Sequence, residues 1–342
     1  MAVVERISQR DIAKSLNLSQ ITVSRALRGS PMVTKATMTR VRKEAKRMGY
    51  EPDPILAGLN AYRQTKRPLS QGQTLAWITP PMLHHAHSWF HGALAQAKRY
   101  GYRLEVFQQN DPEISLRHLA LILYNRGIRG VIIAPQNHPD THLDIDLKHL
   151  TAITIGYSVQ SPAIDRVITD HHHNTMVCFH KLRELGYRRI GMVSSDTTEE
   201  RIEGRRIGAY KYAHSRFPGE IEIPPLHIAL DPRTESKKFE RWYRKWTPDS
   251  ILLHQPLILD LCRDMGLRVP RDVGLVSIAM NRRWNDYAFW AGMDEQLVET
   301  GAFAVDSLVS LIRGNYSGIS NQRRVYLLEG CWKAGRTITP HR

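Results

Sequence analysis

"DIAKSLNLSQITVSRAL", Asp11 to Leu27, decides how the start of this 342-residue chain is read. Ile12, Ala13 and Leu16 fall on one face at helical spacing, and Ser8, three residues before Asp11, offers a capping-box start. A second helix opens at Ser19, a good N-cap, with Val23, Ala26 and Leu27 turned inward. Between them stands Asn17, where a tight turn joining two helices usually has glycine. Asparagine is the non-glycine residue best suited to the left-handed conformation, so the turn is predicted to close through it. Ala13, Asn17 and Val23 then fill the small, turn and anchor positions of a helix-turn-helix, with Leu18 plugging the corner.

Outward from this stretch, "TKATMTRVRKEAKRMG" predicts a third helix from Thr34 to the C′ residue Gly49. Its apolar stripe is Met38, Val41, Ala45 and Met48, and Arg40, Arg42, Lys43, Lys46 and Arg47 cover the other face. Three such helices close a core of about fifty residues, just enough for a marginal domain. A weaker helix, "DPILAGLNAYR", follows, with Asp53 as cap and Pro54 at the first helical position. Gly58 costs it about 1 kcal/mol relative to alanine, and alone it would be mostly unfolded in water. "QTKRPLSQGQ" reads as linker.

Charge sharpens the reading. The net charge is +15, and residues 1–67 hold 14 Lys/Arg against 5 Asp/Glu. That concentration is the footprint of a module that neutralises phosphates, although a solubilising basic face gives the same count. Gln20, Ile21 and Arg25 lie on the outer face of the second helix near its N-terminal end, the end that enters a major groove. Arg25 suits guanine O6 and N7, Gln20 suits adenine, and Ile21 suits a thymine methyl. Ser19, Thr22 and Ser24 carry short hydroxyls suited to phosphates.

From residue 74 the pattern becomes apolar strands alternating with amphipathic helices. The strands are "TLAWITP", "RLEVFQQ", "GVIIAPQ", "TAITIGY", "RVITD", "RIGMVSS", "DSILLHQ" and "VGLVSIAM". Such alternation predicts parallel sheets with helices on both faces. One large sheet satisfies it, and so do two lobes around a cleft.

"DIAKSLNLSQITVSRAL" and "VTKATMTRVRKEAKRMGYEPD" together resemble the lactose-repressor (LacI/GalR) family of bacterial transcription regulators, and the resemblance continues more loosely to the C-terminus. It implies a helix-turn-helix headpiece (residues 1–52), a hinge helix and linker (53–73), and a two-lobed α/β periplasmic-binding-protein-like domain (74–342). That domain would bind a small effector and dimerise. The resemblance carries base reading to Gln20, Ile21 and Arg25, and makes Leu59 the hinge leucine wedged into the minor groove. Two departures stand out: Asn17 for the family's glycine, and Leu56-Ala57 for its Ala-Arg.

In parallel sheets, small molecules bind at the C-terminal ends of the strands. "RRIGAY" matches the family's arginine three residues before a glycine, making Arg205 the candidate effector ligand. Trp89 and Phe90, on the first strand-to-helix connection, and Trp284, after "SIAM", offer faces for a sugar or planar ligand, or simply pack. Ala279 stands where the family has an effector-binding aspartate. The effector expected is carbohydrate-related.

Other classes find less support. Cys178, Cys262 and Cys331 show no metal or redox spacing, consistent with a reducing cytoplasm. His84, His85, His87 and His91, and the run His171 to His173, lack the cysteines or carboxylates that would complete a metal motif. No apolar run spans a membrane, the N-terminus has no signal-peptide pattern, and no nucleophile motif, P-loop or dinucleotide fingerprint is present. The expectation is a cytoplasmic homodimeric repressor without cofactor or metal, on a near-palindromic operator. A sugar- or sugar-phosphate-metabolising enzyme with a fused DNA-binding head is the alternative.

Overall fold

The computed structural model describes residues 7–27, 33–48, 50, 73–80, 86–109, 111–219, 221–229, 232–282 and 286–341. The chain divides into two units, Met1–Leu69 and Ser70–Arg342. The first contains α1 (Gln9–Leu16), α2 (Gln20–Leu27) and α3 (Lys35–Arg47). At the start of α1 the backbone N–H and the hydroxyl of Ser8 both donate to the Asp11 carboxylate, at 2.9 and 2.6 Å. Those bonds hold the Asp11 carboxyl below its ordinary range. The helix ends on Asn17 at φ 53°, ψ 46°, the left-handed conformation the turn requires. Ser19 caps α2 by accepting from the Thr22 N–H at 3.1 Å, and Thr34 caps α3 through Thr37 at 3.3 Å.

Ile12, Val23, Ala26 and Val41 are fully buried, and with Ala13 and Ala45 they form a core for this unit alone. Leu16, Leu18, Leu27, Met38 and Met48 close around it. Arg40 donates to the Leu16 carbonyl at 2.9 Å, satisfying an orphan acceptor at the end of α1. The expected hinge helix, including Leu59, lies outside the described residues.

The second unit opens with β1 (Thr74–Thr79), α4 (Ala86–Arg99), β2 (Arg103–Gln108), α5 (Leu116–Asn125) and β3 (Gly130–Ile133). It continues through β4 (Thr141–His142), β5 (Thr151–Ile155), β6 (Val159–Ser161), β7 (Asp165–Thr169), α6 (His171–Glu184) and β8 (Ile190–Ser194). Next come α7 (Asp196–Arg201), α8 (Arg205–Ser215), β9 (Leu226–His227), α9 (Ser236–Trp246), β10 (Ser250–Leu253) and α10 (Ile258–Asp264). β11 (Gly274–Met280), β12 (Ala291–Asp294), α11 (Leu297–Arg313), β13 (Val325–Leu328) and β14 (Cys331–Lys333) complete it.

Two six-stranded sheets result, ordered β13-β7-β5-β3-β1-β2 and β14-β12-β11-β10-β8-β9. Of the two arrangements the alternation allowed, the chain adopts two lobes. All pairings within the sheets are parallel except β12 with β14. The pleat sends Leu75 and Trp77 to one face of the first sheet, against α4 and α11, and Ala76 and Ile78 to the other, against α5. In the second sheet Met192 and Leu252 face α6 and α8, while Val193, Ile251 and Leu253 face α9 and α10.

The lobes are not consecutive in sequence. After β7 the chain leaves the first lobe and α6 packs on β10 and β11; after β12 it returns and α11 packs on α4, β3 and β5. It crosses a third time between β13 and β14. These crossings place His171, Glu295 and Glu329 at the junction of the lobes. All eight strands read from apolar runs are present. The short β12 and β14 lack a distinct apolar run, whereas β13 has one in "VYLL" that is not among those eight.

Candidate functional site

Two regions combine exposed or unsatisfied chemistry with a rigid support. The first is the outward face of α2. Gln20 and Arg25 are exposed and Ile21 is 65% exposed, an apolar side chain that the core does not use. Thr22 and Ser24 are half-buried. The Ser19 hydroxyl is engaged at the helix start with the Thr22 N–H and, at 2.8 Å, the Thr22 hydroxyl. Val23 and Ala26, on the opposite face, fix the helix to the three-helix core.

The second region is the cleft at the carboxyl ends of the two sheets. In the second sheet the strand order reverses between β8 and β10, and crevices for ligands open at such switch points. His254 follows β10, and its Nε2 stands 3.3 Å from Thr198 Oγ1, just beyond β8. His171 begins α6 immediately after the first crossing, behind the cap formed by Asp170, which accepts from the His173 N–H at 2.9 Å. Arg206 Nη2 reaches Glu295 Oε1 at 3.2 Å and His171 Nδ1 at 3.4 Å, and His171 Nδ1 is also 3.4 Å from Glu295 Oε1.

Burial and the Arg206 guanidinium push the His171 imidazole below its ordinary range, although Glu295 opposes them. His254 is held down to about 3 by the same two causes. Burial alone would raise the Glu295 carboxyl, but His171 and Arg206 outweigh it and the group sits below its usual value. The cluster at neutral pH is therefore one guanidinium, one carboxylate and two neutral imidazoles.

The two histidines set an acid limit. An unfolded chain takes up protons on them as pH falls through about 6.5, while the folded cleft resists, so stability is present above that value and lost below it. The Tm of the α/β unit is expected to fall from pH 7.5 to 5.5, above the carboxylate range. His254→Asn should flatten that slope in differential scanning calorimetry; an unchanged slope would remove His254 from the cause.

Arg205, singled out in the sequence, makes a different set of contacts across the lobes. Its guanidinium lies over the Tyr157 ring at 4.5 Å and pairs with Glu203 at 3.1 Å, with the side chain 39% exposed. Arg166 approaches the same ring at 5.4 Å. Tyr157 follows β5 of the first lobe and α8 belongs to the second, so this stack joins the lobes. The neighbouring Arg206, only 4% exposed, is the one turned into the cluster. Helical periodicity held a signal for this: Arg206 shares the stripe of Ala209, Tyr210 and Ala213, all buried.

Trp89 and Phe90 require a correction. They lie within α4, which begins at Ala86, rather than on the connection before it. Phe90 meets Trp77 edge-on with ring centroids 5.4 Å apart, and both residues pack against the first lobe's core. Ala279 is buried in β11, and Trp284 lies outside the described residues. So do His84, His85 and the side chain of His87; among the described residues no cluster of His, Cys, Asp or Glu could hold a metal ion. No described helix is long and apolar enough to cross a membrane.

Known proteins share both regions. Residues 9–53 match the model "Bacterial regulatory proteins, lacI family", and residues 179–337 match the "Periplasmic binding protein-like domain". The HTH-type transcriptional regulator PtxS of Pseudomonas putida is 27% identical over 219 residues, 63% of this chain and 62% of that protein. Catabolite control protein A of Priestia megaterium is 23% identical over 209 residues, 59% of each. The chain thus aligns with about three-fifths of the length of these two relatives. Among solved structures, a lac repressor dimer bound to operator and the anti-inducer ONPF superposes with a TM-score of 0.58. That match has 16% identity over 98% of this chain and 100% of the other, a likeness of fold.

Proposed function

Because this chain belongs to the lacI family of bacterial regulatory proteins, we propose that it is a DNA-binding transcriptional repressor controlled by a small carbohydrate-related molecule in the inter-lobe cleft. The observation that carries the reading is the face of α2. An eight-residue helix with its own core turns Gln20 and Ile21 to solvent in its first turn and Arg25 in its last. Ile21 at 65% exposure is wasted on water and well placed for a thymine methyl. Surrounding cations supply sequence-independent affinity through counterion release, and the three side chains supply base choice.

The protein would act in the cytoplasm as a homodimer, each α2 reading one half of a near-palindromic operator, with Leu59 as the minor-groove wedge. The solved lac repressor relative is itself a dimer on its operator. Exposed Leu94 on α4 and Val106 on edge strand β2 give the first lobe apolar surface for a second copy.

Arg25→Ala is expected to cost about 1–3 kcal/mol at the cognate operator and to flatten preference at one base pair. Binding to randomised duplexes, selected and sequenced for both proteins, measures this. Unchanged base preference at every position would remove Arg25 from the reading face.

A further inference from the structure

Arg206 has more hydrogen-bonding capacity than its neighbours use. Its Nη2 serves Glu295 and His171, but its Nε–H and the hydrogens of Nη1 meet no acceptor among the described residues. A guanidinium only donates, and each buried N–H left empty carries its full desolvation penalty. One further vacancy is of the same kind, and two can either donate or accept. The Arg205 Nε–H is buried without an acceptor, and the Tyr157 hydroxyl and His254 Nδ1 are buried without partners.

The carboxylates on hand do not fill them. Glu295 is shared between Arg206 and His171. Glu199, buried close by, turns its oxygens to the Ser194 hydroxyl at 2.5 Å and the Ile207 N–H at 3.4 Å. Glu203 pairs with Arg205 at the cleft's exposed side. A neutral hydroxyl would bring a donor with each acceptor to a guanidinium whose vacancies are all donors. An anionic group brings acceptors alone.

We infer that the cleft's ligand is a carbohydrate-sized anion, bearing a carboxylate or a phosphate, whose charged oxygens are received by Arg206. This rests on the reading of the cleft as an effector site and narrows its chemistry. The anion shares Arg206 with Glu295, which stands at the crossing between β12 and α11. The anion's oxygens fill Nε and Nη1 while Nη2 keeps Glu295, so occupancy sets a like charge beside a contact at the junction of the lobes, a direct route from ligand to lobe arrangement.

The test uses the full-length protein with glucose, glucuronate, gluconate and glucose 6-phosphate at matched concentrations, read by thermal shift and calorimetry. An acid or the phosphate should raise Tm where glucose does not, and the responding member separates carboxylate from phosphate. Arg206→Gln should weaken that member about 10- to 100-fold. Arg206→Lys, which keeps the charge, should recover part of the loss and guards against misfolding. Glu295→Gln should bind it as tightly as wild type or more tightly, because a neighbouring like charge is gone; a merely structural pair predicts weaker binding. Glucose binding as well as its acids would overturn the anion and leave the effector reading standing. Equal anion binding by Arg206→Gln would overturn the site. No response from any of the four would overturn the proposal together with the reading beneath it.

Discussion

Ile12→Ala is expected to unfold the three-helix unit and to remove specific DNA binding with it, while the α/β unit stays folded. Ile12 is 0% exposed, at the centre of a core whose other fully buried members are Val23, Ala26 and Val41. Truncating a buried isoleucine to alanine costs about 2–5 kcal/mol. A single core in a chain this short seldom supplies more than about 3–5 kcal/mol. The substitution thus removes most or all of the unit's stability without touching any proposed base-reading side chain. Calorimetry should show the low-stability transition lost and the α/β transition unmoved, and affinity for operator DNA should fall at least about 100-fold. Retained affinity with an intact transition would mean that contacts beyond α1 to α3 hold the unit.

The second large effect concerns the first lobe. Gly92 on α4 and Gly301 on α11 let two helices touch backbone to backbone. A Cβ on Gly301 would overlap the Trp89 carbonyl, and one on Gly92 would overlap the Val298 carbonyl. Neither obstacle can rotate away, since each is main chain. Gly301→Ala must push α11 off α4, and strain of this kind costs on the order of 3 kcal/mol. For a unit of this size that lowers Tm by about 5 °C. The variant should show it in thermal unfolding, with α2 still binding DNA. An unshifted Tm would show that α4 and α11 separate at little cost.

Both predictions depend on features of different legibility. The capping box at Ser8, the left-handed Asn17 and the stripe through Val41 and Ala45 were readable because each is settled within a few residues. Seven of the eight strands were readable for a similar reason, as four or more consecutive buried residues leave little choice; β2, with none, was readable from its alternation at the sheet edge. The α4–α11 glycine contact was not readable, because its partners are some two hundred residues apart. Trp89 looked like a ligand platform in isolation, and its side chain packs against the first lobe's core. β14 is short and half-exposed, so only the sheet it joins defines it, while the run "VYLL" of β13 was there to be read.

The cleft shows the same division at a single pair of residues. The sequence by itself determined two adjacent arginines in "RRIGAY", and the family's spacing pointed to the first of them, Arg205. Successive residues on a helix point about 100° apart, so either arginine could face the crevice. The packing of α8 on α6 chose Arg206, turning it toward His171 and Glu295 and leaving Arg205 to Tyr157. Local backbone preference suffices for caps, turns and stripes, because their partners are neighbours in the chain. A cluster drawn from residues 171, 206, 254 and 295 exists only after the chain has crossed between lobes, and only then does the low dielectric around it decide which groups are charged.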